Sequence, residues 1–380
     1  MAFCGNDKSN KSSENKTHLN HDQYMAKVDG NEYLNCRLPV FLTLSPNVIS
    51  HKFNLISQYE ATLAAKPSAI LSHVHLSQRD RYINIRPWAH NAIQLKNARK
   101  FPDNYINASP ISLGRNQEIF IATQGPGPGD TILHFWQMIW QERAEVIVML
   151  TKFVEDGTEK CGVYMPLQKA DVLILKPRTG PVWGKVECET LQKEDWGEIR
   201  QLRIMKNSES QLFEERLVYH LLFMRWPDHK VPREKNDQMA LINLINLSRE
   251  KMSHNVDSPK VNTPPRIIHC SAGVGRTGTF IALDHLLHEL EENKLDYIGD
   301  EDDPILNTVQ RLREQRMGLV NNVQQYALIY QILRERWELR RTHIFGTASV
   351  MRDHKVSSAI TNHMRLTSTL KRKFQNLSRK

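Results

Sequence analysis

Apolar residues recur along this chain in two rhythms, a helical spacing of three and four and short unbroken runs. In SPNVISHKFNLISQYEATLAAK, Ile49, Phe53, Ile56 and Leu63 fall on one helical face, Ser45 can cap the helix and Pro46 suits its first turn. TILHFWQMIWQER repeats the rhythm with Leu133, Trp136, Ile139 and Trp140, behind Asp130 as a cap. Asp303-Pro304 opens PILNTVQRLREQR, and VQQYALIYQILRERWEL carries Tyr326, Ile329, Tyr330, Leu333 and Trp337 at helical spacing. These aromatic stripes read as core. Between the helices stand β-rich runs: EIFIAT, EVIVML, CGVYM, VYHLLFM and RIIH. Runs like VIVML suit strands covered on both faces. The mixture predicts an α/β layout around a large sheet, and the length allows one large domain or two ordinary ones.

The pattern fades at both ends. Residues 1–44 are rich in Asn, Ser, Lys and His without sustained periodicity, and the first 20 or so are expected to be disordered. The folded part is expected over 45–341. The tail at 342–380 ends in MRLTSTLKRKFQNLSRK, with six basic residues and no acidic one. It reads as a solvated tail or as a weak electrostatic contact with an anionic surface.

Composition narrows this further. The 380 residues are 40% apolar and 24% charged, as in a soluble globular protein. No apolar run approaches the roughly 18 residues of a membrane span, so no transmembrane segment is expected. The first residues lack a secretory hydrophobic stretch, and Ala2 stands where myristoylation needs glycine. Cys4, Cys36, Cys161, Cys188 and Cys270 are odd in number and scattered. They form neither a disulfide framework nor a zinc pair, so reduced thiols in a cytosolic or nuclear compartment are expected. A net charge of +9 favours acidic partners without choosing among phosphorylated protein, nucleic acid and membrane.

The chemistry concentrates in IIHCSAGVGRTGTF, residues 267–280. RIIH reads as a strand, CSAGVGR as a small-residue loop, and TGTFIALDHLLHELEEN as a helix with Phe280, Leu283, Leu287 and Leu290 on one face. Such a turn aims backbone N–H groups at the positive end of a helix dipole, a cradle for an anion. Gly273, Gly275 and Gly278 allow positive φ and close approach, and Arg276 adds a fork for two phosphate oxygens. The charges that hold a phosphate also favour the Cys270 thiolate. A buried structural thiol near a turn is the alternative reading. The G-x4-G-K-[ST] nucleotide loop is absent.

The chain resembles the classical protein tyrosine phosphatases over about 270 residues, roughly 70–340, in that family's order. HCSAGVGRTGTF is similar to the signature loop, WPDHKVP to the general-acid loop and RDRYINI to the substrate-recognition segment. NYINAS, IATQGP, FWQMIW, VIVMLT and EDGTEKCGVYMP resemble further family motifs, the last placing Glu155 and Lys160 near the site. QRMGLVNNVQQY resembles the segment that positions the hydrolytic water. The resemblance implies the α/β cysteine-phosphatase fold, a single large domain with a central twisted mixed β-sheet flanked by helices. It also implies a catalytic domain over 45–341 that hydrolyses phosphotyrosine through a cysteinyl-phosphate with no metal and no cofactor. Cys270 would be the nucleophile and Arg276 the phosphate clamp. Asp228 would be the general acid and contact substrate, although on residues alone Trp226-Pro227-Asp228 reads as a turn. The amides of Ser271, Ala272, Gly273, Val274 and Gly275 would hold the phosphate, and Tyr82 would stack on the substrate ring. Gln325 would orient water, Thr277 would help the sulfur leave, and His269 would support the loop and tune the thiolate. Phosphotyrosine proteins are the implied partners and nucleic acid is not. A single-domain chain of this kind also looks like the divergent copies carried by bracoviruses of parasitoid wasps. That implies action in the host cytoplasm, with the nucleus as the alternative.

Three segments depart from the family pattern. Asn84 stands where a carboxylate usually grips the substrate backbone. His229 and Lys230 replace a Phe-Gly-containing continuation of the acid loop. Asn321 replaces a water-positioning Gln, and its shorter amide points to a slower second step. A phosphotyrosine-binding pseudophosphatase or slow trap is therefore the alternative function. A broader phosphatase acting on phosphoserine, RNA or lipid is a third, and Tyr82 argues against it.

Overall fold

IFIAT, VIVM and RIIH are too apolar to leave a face in water, and burial on both faces makes them the centre of the sheet. The computed structural model describes residues 25–28, 32–35, 38–71, 78–96, 104–114, 119–127, 130–207, 214–227, 230–252 and 263–342. In chain order its strands begin with β1 (Met25–Val28), β2 (Glu32–Asn35), β3 (Ala108–Ser112), β4 (Ile119–Thr123), β5 (Val146–Met149) and β6 (Val154–Glu155). They continue with β7 (Thr158–Glu159), β8 (Val172–Leu175), β9 (Gly184–Glu194), β10 (Gly197–Lys206), β11 (Glu214–Phe223) and β12 (Arg266–His269). The helices are α1 (Pro46–Ala64), α2 (Thr131–Gln141), α3 (Lys235–Glu250), α4 (Gly275–Glu291) and α5 (Pro304–Gln315), and residues 323–342 form α6.

Eight strands join one mixed sheet in the order β3-β4-β12-β5-β11-β10-β9-β8. β4, β12, β5 and β11 run parallel, and the outer strands pair antiparallel. Parallel neighbours need crossovers; α2 carries the chain from β4 to β5, and α3 from β11 to β12. Ile121, Ile147, Met149, Val218, Leu222 and Ile267 share one core cluster with the buried face of α2. Alternation along each strand turns the intervening residues to the opposite face, where α4 packs on β12 and β4 and α3 on β11.

Register sets the position of the site. Thr123 lies level with His269, His269 with Met149, and Met149 with Leu222. The loops after β4, β12, β5 and β11 therefore leave the sheet at one edge, the carboxyl end of the parallel strands, where open α/β sheets bind ligands.

Local expectations fare variously. Ser45 Oγ accepts from Val48 N–H at the start of α1, and Asp303 accepts from the Ile305 and Leu306 N–H groups at the start of α5. Asp130 occupies the N-cap of α2, but its side chain makes no cap bond. Instead the Thr131 hydroxyl accepts from Gly127 N–H at 2.9 Å. CGVYM is not a strand. Its backbone turns away from the sheet, with Cys161 N–H on Phe153 O and Gly162 N–H on Pro126 O. The helix after the signature loop is buried nearly all round, not on one face, because α5 covers its outer side.

The chain divides into a unit of Pro39–Trp337 and a unit of Met1–Leu38 with Glu338–Lys380. Phe41 and Leu42 are buried, ahead of the start expected at residue 45. In the second unit β1 pairs antiparallel with β2 from Met25↔Asn35 to Val28↔Glu32. The first 20 residues and the basic tail beyond 342 lie outside the described residues. Among the described residues no helix is long and apolar enough to cross a membrane.

Candidate active site

After His269 the chain leaves β12, turns through residues 270–274 and enters α4. Each carbonyl from Cys270 to Val274 is held from outside this turn. His269 Nδ1 donates to Cys270 O, Gly125 N–H to Ser271 O, Arg316 to Ala272 O and Gly273 O, and Gly278 N–H and Val320 N–H to Val274 O. In a trans peptide the following N–H points opposite to its carbonyl. The N–H groups of Ser271 through Gly275 therefore point inward, at the amino end of α4 with its positive dipole. Cys270, the first residue of that turn, is buried. The geometry suits an anion with several oxygens beside the sulfur.

Of the three glycines expected to take positive φ, only Gly273 does, at 69°. A Cβ there would also meet Thr123 O at 2.1 Å. Gly275 and Gly278 are helical and serve close packing instead. A Cβ at Gly278 would lie 2.3 Å from Val320 N, and one at Gly275 would lie 2.9 Å from the Gln325 amide.

Arg276 is aligned before any ligand arrives. Its Nη1 and Nη2 each donate to Glu155 at 2.8 Å, a two-pronged pair, and Nη1 also donates to Leu150 O at 3.1 Å. Thr151 Oγ1 and Lys152 N–H donate to the same carboxylate, both at 3.1 Å. Glu155 thus fixes the guanidinium plane, and the arrangement of a carboxylate behind an arginine preserves the fork's orientation.

His269, one residue before the cysteine, is fully buried. Burial lowers its pKa to about 4, so the ring is neutral at neutral pH. The Tyr164 hydroxyl lies 2.7 Å from His269 Nε2 and 2.6 Å from His220 Nε2. The hydroxyl of Thr277, which the resemblance implies helps the sulfur leave, is buried and has no hydrogen-bond partner among the described residues.

The rim is built from separate segments. Tyr82 lies 2.9 Å from Ser271 Oγ, and because that hydroxyl donates to Lys160 O, Tyr82 is the donor to it. Ile85 N–H donates to Tyr82 O, closing a turn on which Asn84 is exposed. Arg81 anchors the turn, donating to Gly125 O at 3.1 Å and Pro126 O at 2.8 Å, while its N–H donates to Gln124 Oε1. Across the mouth, Gln325 is buried and accepts from Asn321 N–H at 3.0 Å. The exposed Asn321 stands over Gly275 and Gly318. Trp226 Nε1–H donates to Lys230 O, and Lys230 N–H to Pro227 O. Asp228 and His229 themselves lie outside the described residues.

Arg316, Arg81, Gln124, Tyr164 and His220 hold this arrangement together, and sequence reasoning did not single them out. Nothing in the EQRMG context marks Arg316 as fully buried beneath the loop. For Tyr164 and His220, a polar residue inside an otherwise apolar run was the available signal.

The protein-tyrosine phosphatase family profile matches residues 76–335. Human phosphatidylinositol phosphatase PTPRQ is 37% identical over 259 residues, which is 67% of this chain and 10% of PTPRQ. Rat tyrosine-protein phosphatase non-receptor type 20 is 34% identical over 273 residues, 71% of this chain and 57% of that protein. The chain thus spans less than two thirds of the length of these curated relatives. A solved structure reported as the structural basis of the PTPN18 fingerprint on distinct HER2 tyrosine phosphorylation sites superposes with a TM-score of 0.64. It is 25% identical, covering 76% of this chain and 95% of that one. With the parallel strands, the inward-facing amides and the signature loop all inside the matched span, the chain belongs to the protein-tyrosine phosphatase family.

Proposed function

We propose that this chain hydrolyses phosphotyrosine in proteins through a cysteinyl-phosphate intermediate. The supporting observation is the ring of inward amides, closed by an Arg276 that Glu155 holds in plane, around one buried cysteine. Cys270 thiolate attacks phosphorus in line; the S–P bond forms as the P–O bond to the tyrosyl oxygen breaks. The amides and Arg276 stabilise the equatorial oxygens. Asp228 gives its proton to the departing phenol oxygen. Water, oriented by Gln325 with Asn321, then attacks phosphorus, passes its proton to Asp228 and releases the thiolate and inorganic phosphate. The Tyr82 ring supports a site deep enough for an aryl phosphate. A thiolate nucleophile must stay reduced, which fits the cytoplasm or nucleus.

The similarity to PTPRQ, whose name assigns it phosphatidylinositol, favours a second reading: removal of phosphate from inositol lipid headgroups. Initial rates on a phosphotyrosine peptide, a phosphoserine peptide and phosphoinositide vesicles distinguish the two. We expect kcat/KM on the phosphotyrosine peptide to exceed the others by about a hundredfold or more, with all activity lost in Cys270→Ser. Faster turnover of phosphoinositide would overturn the tyrosine reading.

A further inference from the structure

Behind the signature loop, on the α2 face of the sheet, lies a row of buried polar groups that these reaction steps do not use. Arg200 on β10 and His220 on β11 are direct cross-strand partners, so their side chains share one face. Both are buried. From His220 the row continues through Tyr164 to His269 and ends on the carbonyl of Cys270, 3.1 Å from His269 Nδ1.

The hydrogens of this row can be assigned one at a time. A carbonyl has none, so His269 Nδ1–H donates to Cys270 O. His269 is neutral, so its Nε2 is a bare lone pair and Tyr164 must donate to it. Tyr164 has a single hydroxyl hydrogen, so its other contact is accepted, and His220 Nε2–H is the donor. Burial, then the neighbouring charge of Arg200, keep His220 neutral as well, leaving a bare lone pair at Nδ1. Among the described residues that atom has no hydrogen-bond partner, and neither do Nε and Nη1 of Arg200. Arg200 Nη2 is already used, by Leu167 O at 3.1 Å and the Glu198 carboxylate at 2.6 Å. Two orphaned donors and one orphaned acceptor, buried on adjacent positions of one sheet face, are what a single water satisfies.

We propose that Arg200, one buried water, His220, Tyr164 and His269 form a continuous hydrogen-bond chain with every donor directed toward Cys270, and that Arg200 and His220 are positioning residues for the nucleophile. The role rests on the phosphatase reading above; the chain of bonds does not. A fixed cation at the far end aligns the dipoles, and the row holds the Cys270 carbonyl outward, its positive end directed at the backbone of the nucleophile's own residue. The groups facing the row do not oppose this. Glu198 is paired with Arg200. Arg81 faces His269 as a cation, and Arg316 stands under the loop. Cys161 faces Tyr164 as a neutral thiol, pushed up to about 12 by burial.

The test begins with the unaltered full chain. Histidine side-chain nitrogen NMR should find His220 protonated at Nε2 and His269 at Nδ1; the reverse tautomer at either ring overturns the chain. A crystal structure should place ordered solvent between Arg200 and His220 Nδ1, and a dry gap there would also overturn it. Arg200→Met and His220→Phe then cut the row. The pH dependence of Cys270 inactivation by iodoacetamide should move upward by about one unit, and kcat should fall about tenfold with KM nearly constant. His220→Gln, which restores a donor to Tyr164, should recover most of both. Folded Arg200→Met and His220→Phe proteins whose thiol titration and kcat match wild type would refute the positioning role. Because alkylation and NMR need no turnover, an inert wild type with these tautomers would count against the phosphatase reading and support the chain.

Discussion

Arg316 has no exposed surface, yet it carries a charge, and its surroundings explain how that is tolerated. It donates to Gly273 O at 2.9 Å, Ala272 O at 3.2 Å, Asn107 Oδ1 at 2.8 Å and Ser109 Oγ at 3.3 Å. Burial lowers its pKa to about 10, which still leaves it charged at neutral pH. By fixing two loop carbonyls outward it fixes the following amides inward. Arg316→Met should therefore cost more than stability. We expect about 3–5 kcal/mol lost in urea unfolding, and kcat on p-nitrophenyl phosphate lower by at least about a hundredfold. Arg316→Lys should rescue little, because one ammonium cannot span four acceptors. Near-normal kcat in Arg316→Met would show that the loop keeps its shape without this side chain. Arg316 was not legible in advance, because a buried and an exposed arginine look alike in a sequence. Cys270 and Arg276 were, because their spacing and glycines describe a turn.

Among the elements, the strand–loop–helix around Cys270 was readable because an apolar run, a small-residue turn and a helical stripe follow one another without interruption. CGVYM misled because Cys161, Tyr164 and Met165 do face the core, while the Cys161 and Gly162 amides bond to Phe153 and Pro126 in place of a ladder. The long strands β9 and β10 escaped notice for the opposite reason. One face meets water and carries Arg203 and Glu189, whose ion pairs with each other and with Glu215 of β11 hide the alternation. The glycine reading was right about freedom at Gly273 and wrong about its kind at Gly278, where α4 abuts the segment before α6. Gly278→Ala should push Val320 away, loosening its N–H bond to Val274 O. We expect about 1–3 kcal/mol of destabilisation with a lower kcat, seen by denaturant melts and initial rates. An unchanged midpoint would mean that the segment yields freely.

For the whole molecule, the α/β architecture followed from the alternation of helices and buried strands. The meeting of distant segments followed only from strand register, which periodicity does not encode. The same buried network makes stability depend on pH. His269 titrates at about 4 in the folded chain, against about 6.5 when unfolded, and His220 is lowered in the same direction. As pH falls through this window the unfolded state binds protons first, so stability is full above about pH 6.5 and declines toward pH 4. His269 alone contributes about 3 kcal/mol of that loss. Urea midpoints measured across this range should fall with acidity, and a flat profile would contradict neutral burial of the rings.

The central claim is that a phosphoryl group passes through the sulfur of Cys270. Rapid quenching of the wild-type protein with a radiolabelled phosphotyrosine peptide, followed by peptide mapping, tests it most directly. The account predicts transient label on the peptide containing Cys270, enriched in Asn321→Gln only if the longer amide slows hydrolysis and depleted if it speeds it, as expected here. Turnover of the peptide with no label on Cys270, or with label on another residue, would contradict it.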